Sequence, residues 1–239
     1  MMRIPVVRFT YLRLGLVFSF AALATFATVY IASGTPQQLA QARFDGWGYT
    51  LVLDPGGAPI AQVQYDQATM ADLQRYAQTN RVLARQLVAD GEKDMSVLVT
   101  FRRPLSVDEF RAWASRAPLR VKDYQFHAVG ADGRPWTLGA APSSGELVSG
   151  ADLQSVLDHL KARGNALEVR GVVVVDGQVD AARYEQLADA PSVFLADVTR
   201  PAAAAHIKKT VRGFDHSRLA VVVPPAFARL EALSAAIPD

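Results

Sequence analysis

Three residues of the types that serine hydrolases use, Asp152, Ser155 and His159, follow one another at a spacing of i, i+3 and i+7. That spacing places them on one face of a helix, roughly 120° from the apolar side at 3.6 residues per turn. A nucleophile also needs an oxyanion site and a strained turn such as G-x-S-x-G, and the sequence contains neither in recognisable form. We therefore expect these three residues to lie on the solvent-exposed side of a surface helix. A hydrolase that uses Ser155 and His159, or another serine with His127, is the alternative. The apolar side of this helix consists of Leu153, Val156, Leu157 and Leu160.

The remaining ligand types form no recognisable metal or phosphate motif. The four histidines are His127, His159, His206 and His216, and none belongs to an H-x-x-x-H or H-E-x-x-H sequence. Asp215 beside His216 would make only a loose site. Two glycine-containing turns, 54–57 and 130–133, lie between predicted strands and lack the strand-to-helix setting of a phosphate loop. The sequence predicts no metal ion and no other cofactor.

One local excess of positive charge suggests an interaction surface. Between residues 200 and 218 five basic residues face a single acidic one, Asp215. Such a stretch could contact an acidic partner or lipid headgroups, because polybasic segments gain about 1 kcal/mol per residue near an anionic surface. A solvated helix face is the ordinary alternative. The basic residues are Arg200, Lys208, Lys209, Arg212 and Arg218.

Composition excludes several classes of protein. The chain contains no cysteine, which removes disulfide scaffolds, thiolate zinc sites and cysteine nucleophiles. Its net charge of +2 comes from three arginines near the N-terminus, since 22 basic residues face 23 acidic ones from residue 33 onward. No basic and aromatic stripe is present, so we expect no nucleic acid partner.

An uncharged run, Leu14–Ala32, dominates the N-terminal part of the chain. Its 19 residues would cover about 28 Å as a helix, close to the thickness of a bilayer's hydrocarbon core. Arg3, Arg8 and Arg13 precede it and the next charge is Arg43. The positive-inside rule then predicts a single-pass signal anchor in the cell (inner) membrane, with a cytoplasmic N-terminus at 1–13 and the bulk of the chain extracytoplasmic.

Two other interpretations of this run stay open. A cleaved signal peptide usually has a shorter apolar region and an A-x-A-like site, whereas Tyr30 spoils a cut after Ala32. Ala32-Ser33-Gly34 is the one tolerable cleavage sequence. A buried core helix is the third interpretation, and the charged flank argues against it.

The residues after the run alternate between helix and strand signals. We expect a stalk at 33–43 with a short helix from Pro36 through Gln41, followed at 44–91 by a hairpin and one long helix that ends at Gly91. Residues 92–239 should form an α+β domain, since capped helices such as the one after Ser106 alternate with valine-rich strands. The order of elements favours a ferredoxin-like βαβ-type sandwich, one sheet with helices on one side. Whether 44–91 is a separate lobe or an added layer is left open.

A weak internal repeat runs through this second region. Strand, capped helix, Ala-Pro and strand recur at an offset of 74 residues, which pairs Ser106 with Asp180 and Phe110 with Tyr184. Trp113 and Leu187 match at the same offset. Short patterns of this kind also arise by chance, so a duplicated βαβ-type unit is one of two interpretations.

These observations favour a membrane-anchored extracytoplasmic protein without enzymatic activity. Its outer domain would act as a protein-binding, structural or sensory module, with an unidentified protein partner and a membrane contact through residues 14–32. The short N-terminus leaves no room for a folded cytoplasmic domain. The alternatives are an extracytoplasmic hydrolase and a domain that binds envelope polymers or lipid through residues 200–218.

Overall fold

A computed structural model describes residues 38–142, 146–162 and 164–235. Leu14–Ala32 and the arginines before it lie outside these residues, so the predicted anchor stays a prediction. Within the described ranges, no helix combines the length and the apolar composition needed to cross a bilayer. The described part is a mixed α+β structure with two sheets and six α-helices.

The elements follow the expected alternation of helices and strands. The strands are β1 (Gln38–Arg43), β2 (Trp47–Leu53), β3 (Pro59–Tyr65), β4 (Asp94–Leu105), β5 (Leu119–Gly130), β6 (Pro135–Ala140), β7 (Leu167–Asp180), β8 (Val193–Asp197) and β9 (Ala220–Val222). The helices are α1 (Met70–Ala89), α2 (Val107–Ala114), α3 (Gly150–Ala162), α4 (Tyr184–Ala188), α5 (Thr199–Thr210) and α6 (Phe227–Ala235).

The small sheet has the strand order β1-β2-β3-β9. The predicted hairpin is present as β2 and β3, and the predicted stalk helix through Gln41 is wrong. Residues 38–43 instead pair antiparallel with β2, from Gln38 opposite Val52 to Arg43 opposite Gly48. Pairing along β2 satisfies the backbone groups of this segment, whereas an isolated helix of six residues would be unstable in water.

The large sheet has the order β6-β5-β7-β4-β8, and all of its neighbouring strands are antiparallel. In three cases a helix connects two parallel strands that have another strand between them. Helix α2 links β4 to β5 across β7, α3 links β6 to β7 across β5, and α4 links β7 to β8 across β4. Split β-α-β units of this kind interlock, so the sheet is held by connections that cross its strands.

The internal repeat is visible in the element bounds. The segment β4-α2-β5 corresponds at the offset of 74 to β7, the helical turns 181–188 and β8. The capping residue Ser106 corresponds to Asp180, and both side chains accept a hydrogen bond from a backbone amide of the helix that follows. At the centre of the sheet Thr100 pairs with Val174, its own equivalent. The two units are therefore related by a local two-fold axis between β4 and β7.

Two hydrophobic cores lie on opposite faces of the large sheet. On one face α2, α3 and α4 cover an aromatic cluster that includes Phe101, Phe110, Trp113 and Tyr184. On the other face Leu98, Val174 and Leu195 pack against residues of the small sheet, α1, α5 and α6. The expectation of one sheet with helices on one side is therefore wrong, because both faces of the large sheet are apolar and a second sheet contributes to the core on its second face.

Candidate functional site

The basic stretch is divided by the fold into paired and unpaired residues. Arg200, at the start of α5, turns towards the large sheet, where its Nη1 donates to Asp176 Oδ2 and to Ser96 Oγ at 3.2 Å. Lys209 Nζ lies 2.8 Å from Asp90 Oδ2 at the end of α1. Each of these two cations already has a carboxylate partner within the fold, which leaves it less available to an outside partner than an unpaired cation.

The side chains of Lys208, Arg212 and Arg218 are exposed, and none of them makes a hydrogen bond or a salt bridge with the residues that the structure describes. Arg218 is nevertheless close enough to Asp215 for its charge to lower the pKa of that carboxyl. Arg212 and Arg218 belong to the segment 211–219, which connects α5 to β9. Val211, Phe214 and Leu219 of this segment pack partly against the core beneath the small sheet. The segment is therefore held against the body by its apolar side chains while its two arginines face solvent.

Ser155 and His159 lie on the solvent-exposed face of α3, as the sequence predicted. Both side chains are exposed, and Gln154 Nε2 bonds to Asp158 Oδ1 at 2.9 Å on the same surface. The side chain of Asp152 lies outside the described residues. An exposed helix surface does not exclude water or fix a nucleophile, so this arrangement gives no support to the hydrolase alternative.

Two of the histidines make interior contacts. His127 is buried, with its Nε2 3.2 Å from Glu231 Oε1 and its ring against Phe227. His206 Nδ1 lies 2.9 Å from the hydroxyl of Tyr49. In both cases the imidazole joins a helix to a strand of a sheet.

The other two histidines lie nearer the surface. His159 is exposed on α3, and His216 stacks at an angle on Phe214. In the described part of the chain no three metal-ligating side chains come together.

A buried polar cluster, which the sequence did not signal, connects α1, β8 and α5. The hydroxyl of Tyr76 donates to Asp197 Oδ2 at 2.7 Å, while Asp197 Oδ1 accepts from the amide and the hydroxyl of Thr199. Burial raises the pKa of Asp197, and the bonds from Thr199 and Tyr76 act in the opposite direction. Clusters with shifted pKa values can be functional, but here both carboxylate oxygens are occupied by the protein itself.

A row of carboxylates crosses the same face of the large sheet. Asp123 lies opposite Asp176, Asp176 opposite Leu98, and Leu98 opposite Asp197 on successive strands. Desolvation and then the charge of Asp176 raise the pKa of Asp123. Asp176 Oδ1 is buried and has no partner among the described residues, while its Oδ2 is bound by Arg200. Arg200 pairs with Asp176 and also lowers the pKa values of Asp123 and Asp197, so it offsets part of the negative charge of this row.

The two glycine-containing turns have the hairpin role that the sequence predicted. Asp54 Oδ1 accepts the amide of Ala58, and Gly57 has a φ of 74°. Gly133 has a φ of 77° in the turn between β5 and β6. Left-handed residues of this kind close tight hairpin turns between two strands.

Comparison with known proteins adds no assignment: no family model, curated protein or solved structure matches this chain. The candidate surface that remains is the pair of unpaired arginines on segment 211–219, together with Lys208.

Proposed function

We propose that this chain is a single-pass, N-in membrane protein of the cell (inner) membrane, whose extracytoplasmic domain binds another protein or acts as a structural or sensory module. The observation that carries the proposal is the closeness of the uncharged run to the folded body. Leu14–Ala32 ends six residues before Gln38, where β1 already pairs with β2. A helix that leaves the bilayer at Ala32 would enter the domain almost directly.

Binding is favoured over catalysis because the ionisable groups of the interior serve the fold. Asp197, Asp176 and His127 each have a protein partner. The large sheet, of ferredoxin-like character in its split β-α-β units, would be the rigid scaffold on which the interaction surface is built.

Topology and anchoring provide the first test. The full chain should resist extraction from membranes by alkaline carbonate, and external protease should reach its C-terminus in intact spheroplasts. The fragment 35–239 should be recovered as a soluble folded protein. A C-terminus protected from external protease, or a fragment found only as aggregate, would contradict the proposal.

The binding role needs a separate experiment. Cross-linking in intact cells with a membrane-impermeant reagent should give a defined adduct with another envelope protein. The adduct should persist when residues 1–32 are replaced by an unrelated signal anchor, and it should disappear when residues 38–239 are replaced by an unrelated domain. An adduct that follows the anchor would show that the domain is not the binding module.

A further inference from the structure

Two carboxyl groups lie side by side on neighbouring strands of the large sheet. Asp123 of β5 is opposite Asp176 of β7 in the antiparallel register. Residues that are directly opposite in such a pair share one face of the sheet, with their Cβ atoms about 4.5–5.5 Å apart. Asp176 is only 9% exposed, whereas Asp123 is exposed. One carboxyl of the pair is therefore inside the fold, and the other is open to solvent.

One oxygen of the buried carboxylate lacks a hydrogen-bond donor. Arg200 Nη1 donates to Asp176 Oδ2, but Oδ1 is buried and accepts no hydrogen bond from the described residues. A buried acceptor without a donor is destabilising, because it has lost its contact with water without gaining a new one. Leu98, which is opposite Asp176 on β4, is apolar and has no donor to offer. The opposite residue on β5 is Asp123, whose side chain can donate only when it is protonated.

Other polar groups on this face are already engaged. Ser96 Oγ accepts from Arg200 Nη1 at 3.2 Å. Arg120 Nη2 donates to Asp94 Oδ1 at 2.8 Å and lies 3.4 Å from Gln178 Oε1. These contacts leave Asp123 as the neighbour of Asp176 that can change its hydrogen-bonding role by gaining or losing a proton.

The charges around Asp123 favour its protonated form. Desolvation raises the pKa of Asp123, and the negative charge of Asp176 raises it further. Arg200 and Lys122 act in the opposite direction, but the net shift is upward. Two carboxylates held this close resist being ionised together, which is the usual reason that such pairs retain a proton.

The internal repeat provides a comparison within the same sheet. At the offset of 74 residues, Asp123 corresponds to Asp197. Asp197 accepts hydrogen bonds from the hydroxyls of Tyr76 and Thr199, so the protein itself satisfies both of its oxygens. The residue equivalent to Thr199 is Gln125, which has no hydroxyl. Of the two equivalent carboxyls, Asp123 is the one that is open to solvent and can exchange a proton with it.

We propose that Asp123 and Asp176 form a proton-binding pair, in which protonated Asp123 donates a hydrogen bond to Asp176 Oδ1. In acid the pair carries one negative charge, which Arg200 balances from the side of Oδ2. At neutral pH Asp123 releases its proton to solvent, so two carboxylates face each other and Oδ1 again lacks a donor. The contact between β5 and β7 is therefore tighter in acid, which makes the large sheet responsive to the pH around the domain. This response does not depend on the proposed membrane anchor.

The first test is a titration of the full chain in nonionic detergent, followed by NMR of the side-chain carboxyl carbons. The signal that disappears in Asp123→Asn identifies Asp123. We expect Asp123 to titrate above the ordinary range of aspartate, and Asp176→Asn should lower its pKa because the neighbouring negative charge is removed. Asp132→Asn, in the turn between β5 and β6, is the control and should leave the titration of Asp123 unchanged. A pKa of Asp123 that Asp176→Asn does not lower would overturn the inference.

The second test is urea unfolding of the full chain in the same detergent, at neutral pH and in acid. Asp123→Asn places a permanent amide donor opposite Asp176 Oδ1, whereas Asp123→Ala removes the charge without supplying a donor. At neutral pH the Asn variant should unfold at a higher urea concentration than both the natural chain and the Ala variant. Its advantage over the natural chain should shrink in acid, because a group with a raised folded pKa contributes stability at low pH and loses it as the pH rises.

Two results of the unfolding experiment would refute the proposal. Equal urea midpoints for Asp123→Asn and Asp123→Ala at neutral pH would show that residue 123 does not donate to Asp176 Oδ1. An advantage of Asp123→Asn over the natural chain that is the same at neutral pH and in acid would show that the pair does not take up a proton.

Discussion

At the scale of single residues, the largest unpredicted feature is the carboxylate of Asp197, which is 3% exposed. An aspartate at the end of a strand carries no sequence signal for burial, since only one of its two donor residues is near it in the chain. Tyr76 lies 121 residues away in α1, whereas Thr199 is two residues away. The cluster therefore joins helix α1 to the large sheet through a group that is costly to bury without partners.

Replacing Tyr76 with phenylalanine should destabilise the protein by about 1–3 kcal/mol, because it leaves a buried carboxylate oxygen without its donor. Because the pKa of Asp197 is raised, the folded protein keeps the proton of this carboxyl to a higher pH than the unfolded chain does. The stability that Asp197 contributes therefore falls as the pH rises from the unfolded pKa to the folded pKa. The loss in Tyr76→Phe should then be larger at neutral pH than in acid, as measured by urea unfolding.

Tyr65→Phe is the matched control for this substitution. Tyr65 stacks on Tyr76, but its hydroxyl donates to the backbone oxygen of Pro224 at 3.2 Å, which is a neutral acceptor. We expect a cost of about 0.5–1.5 kcal/mol without that pH dependence. Equal costs at both pH values for Tyr76→Phe would contradict the role of Asp197.

Glu109 should titrate at unusually low pH. The hydrogen bond from Arg103, followed by that from the amide of Ser106, lowers the pKa of Glu109 from 4.5 to about 2. Because the folded pKa is the lower one, its contribution to stability is present above pH 4.5 and is lost as pH falls towards 2. Arg103→Gln should raise the pKa of Glu109, measured by NMR of the side-chain carboxyl carbon. Arg111→Gln, on the same helix, should leave it unchanged, and a low pKa in both variants would refute the assigned cause.

At the scale of elements, the duplicated unit shows how far local sequence determines this fold. The capping residues Ser106 and Asp180 start both helices, and the apolar pairs Phe110 with Trp113 and Tyr184 with Leu187 define which face each helix buries. These are local signals, so helix positions could be predicted from the sequence alone. The axis between β4 and β7 could not, because register depends on contacts 74 residues apart.

The bulge where β4 meets β7 should be sensitive to a single methyl group. Gly171 has a φ of 142°, and a Cβ there would lie 2.3 Å from the backbone oxygen of Leu105. Gly171→Ala should cost more than the 1–2 kcal/mol expected from a left-handed backbone alone, since Leu105 would have to move. The measurement is the free energy of unfolding in urea.

Gly213→Ala is the appropriate comparison for that variant. Gly213 also has a positive φ, 92°, but a Cβ there would meet no atom within 4 Å. Its cost should stay near the backbone penalty of about 1–2 kcal/mol. Similar losses in the two variants would show that the contact with Leu105 is relieved without cost.

At the scale of the whole molecule, the C-terminal elements β9 and α6 belong to the same hydrophobic core as the strands that start at residue 47. Phe227 and Leu230 of α6 pack in the same cluster as Trp47, Leu51 and other residues of the small sheet. Strand β9 adds to that sheet beside β3. The division of the chain at residue 92 stays a prediction about domains, but the small sheet depends on residues from both sides of it.

Removing residues 220–239 should therefore destabilise more than the C-terminus. The truncation deletes β9 and α6 and exposes apolar residues of the small sheet and of the second face of the large sheet. We expect loss of the cooperative thermal transition and rapid proteolysis in the region 38–90. A chain that ends at residue 235 keeps β9 and α6 and is the control. Retained protection of residues 38–90 after the larger truncation would show that this region folds independently.

The sequence by itself determined the features that depend on near neighbours. Turn glycines, helix caps and apolar periodicity located the helices, most strands and the wet face at Ser155 and His159, because these signals act over a few residues. The uncharged run Leu14–Ala32 likewise predicts a membrane span from its length and composition alone, without reference to the tertiary structure. The segment 38–43 was the exception, since edge pairing with β2 gave it a strand where its local sequence suggested a helix.

Only the tertiary structure decided which charged residues are available. Five basic residues looked equivalent in the sequence, yet Asp176 and Asp90, which are distant along the chain, neutralise Arg200 and Lys209. The same packing placed β9 beside β3 and brought Arg218 to the end of the sheet where the chain enters. Which carboxylate pairs with a basic residue, and where that residue lies in the fold, depend on contacts between distant parts of the chain. The local sequence does not determine these contacts.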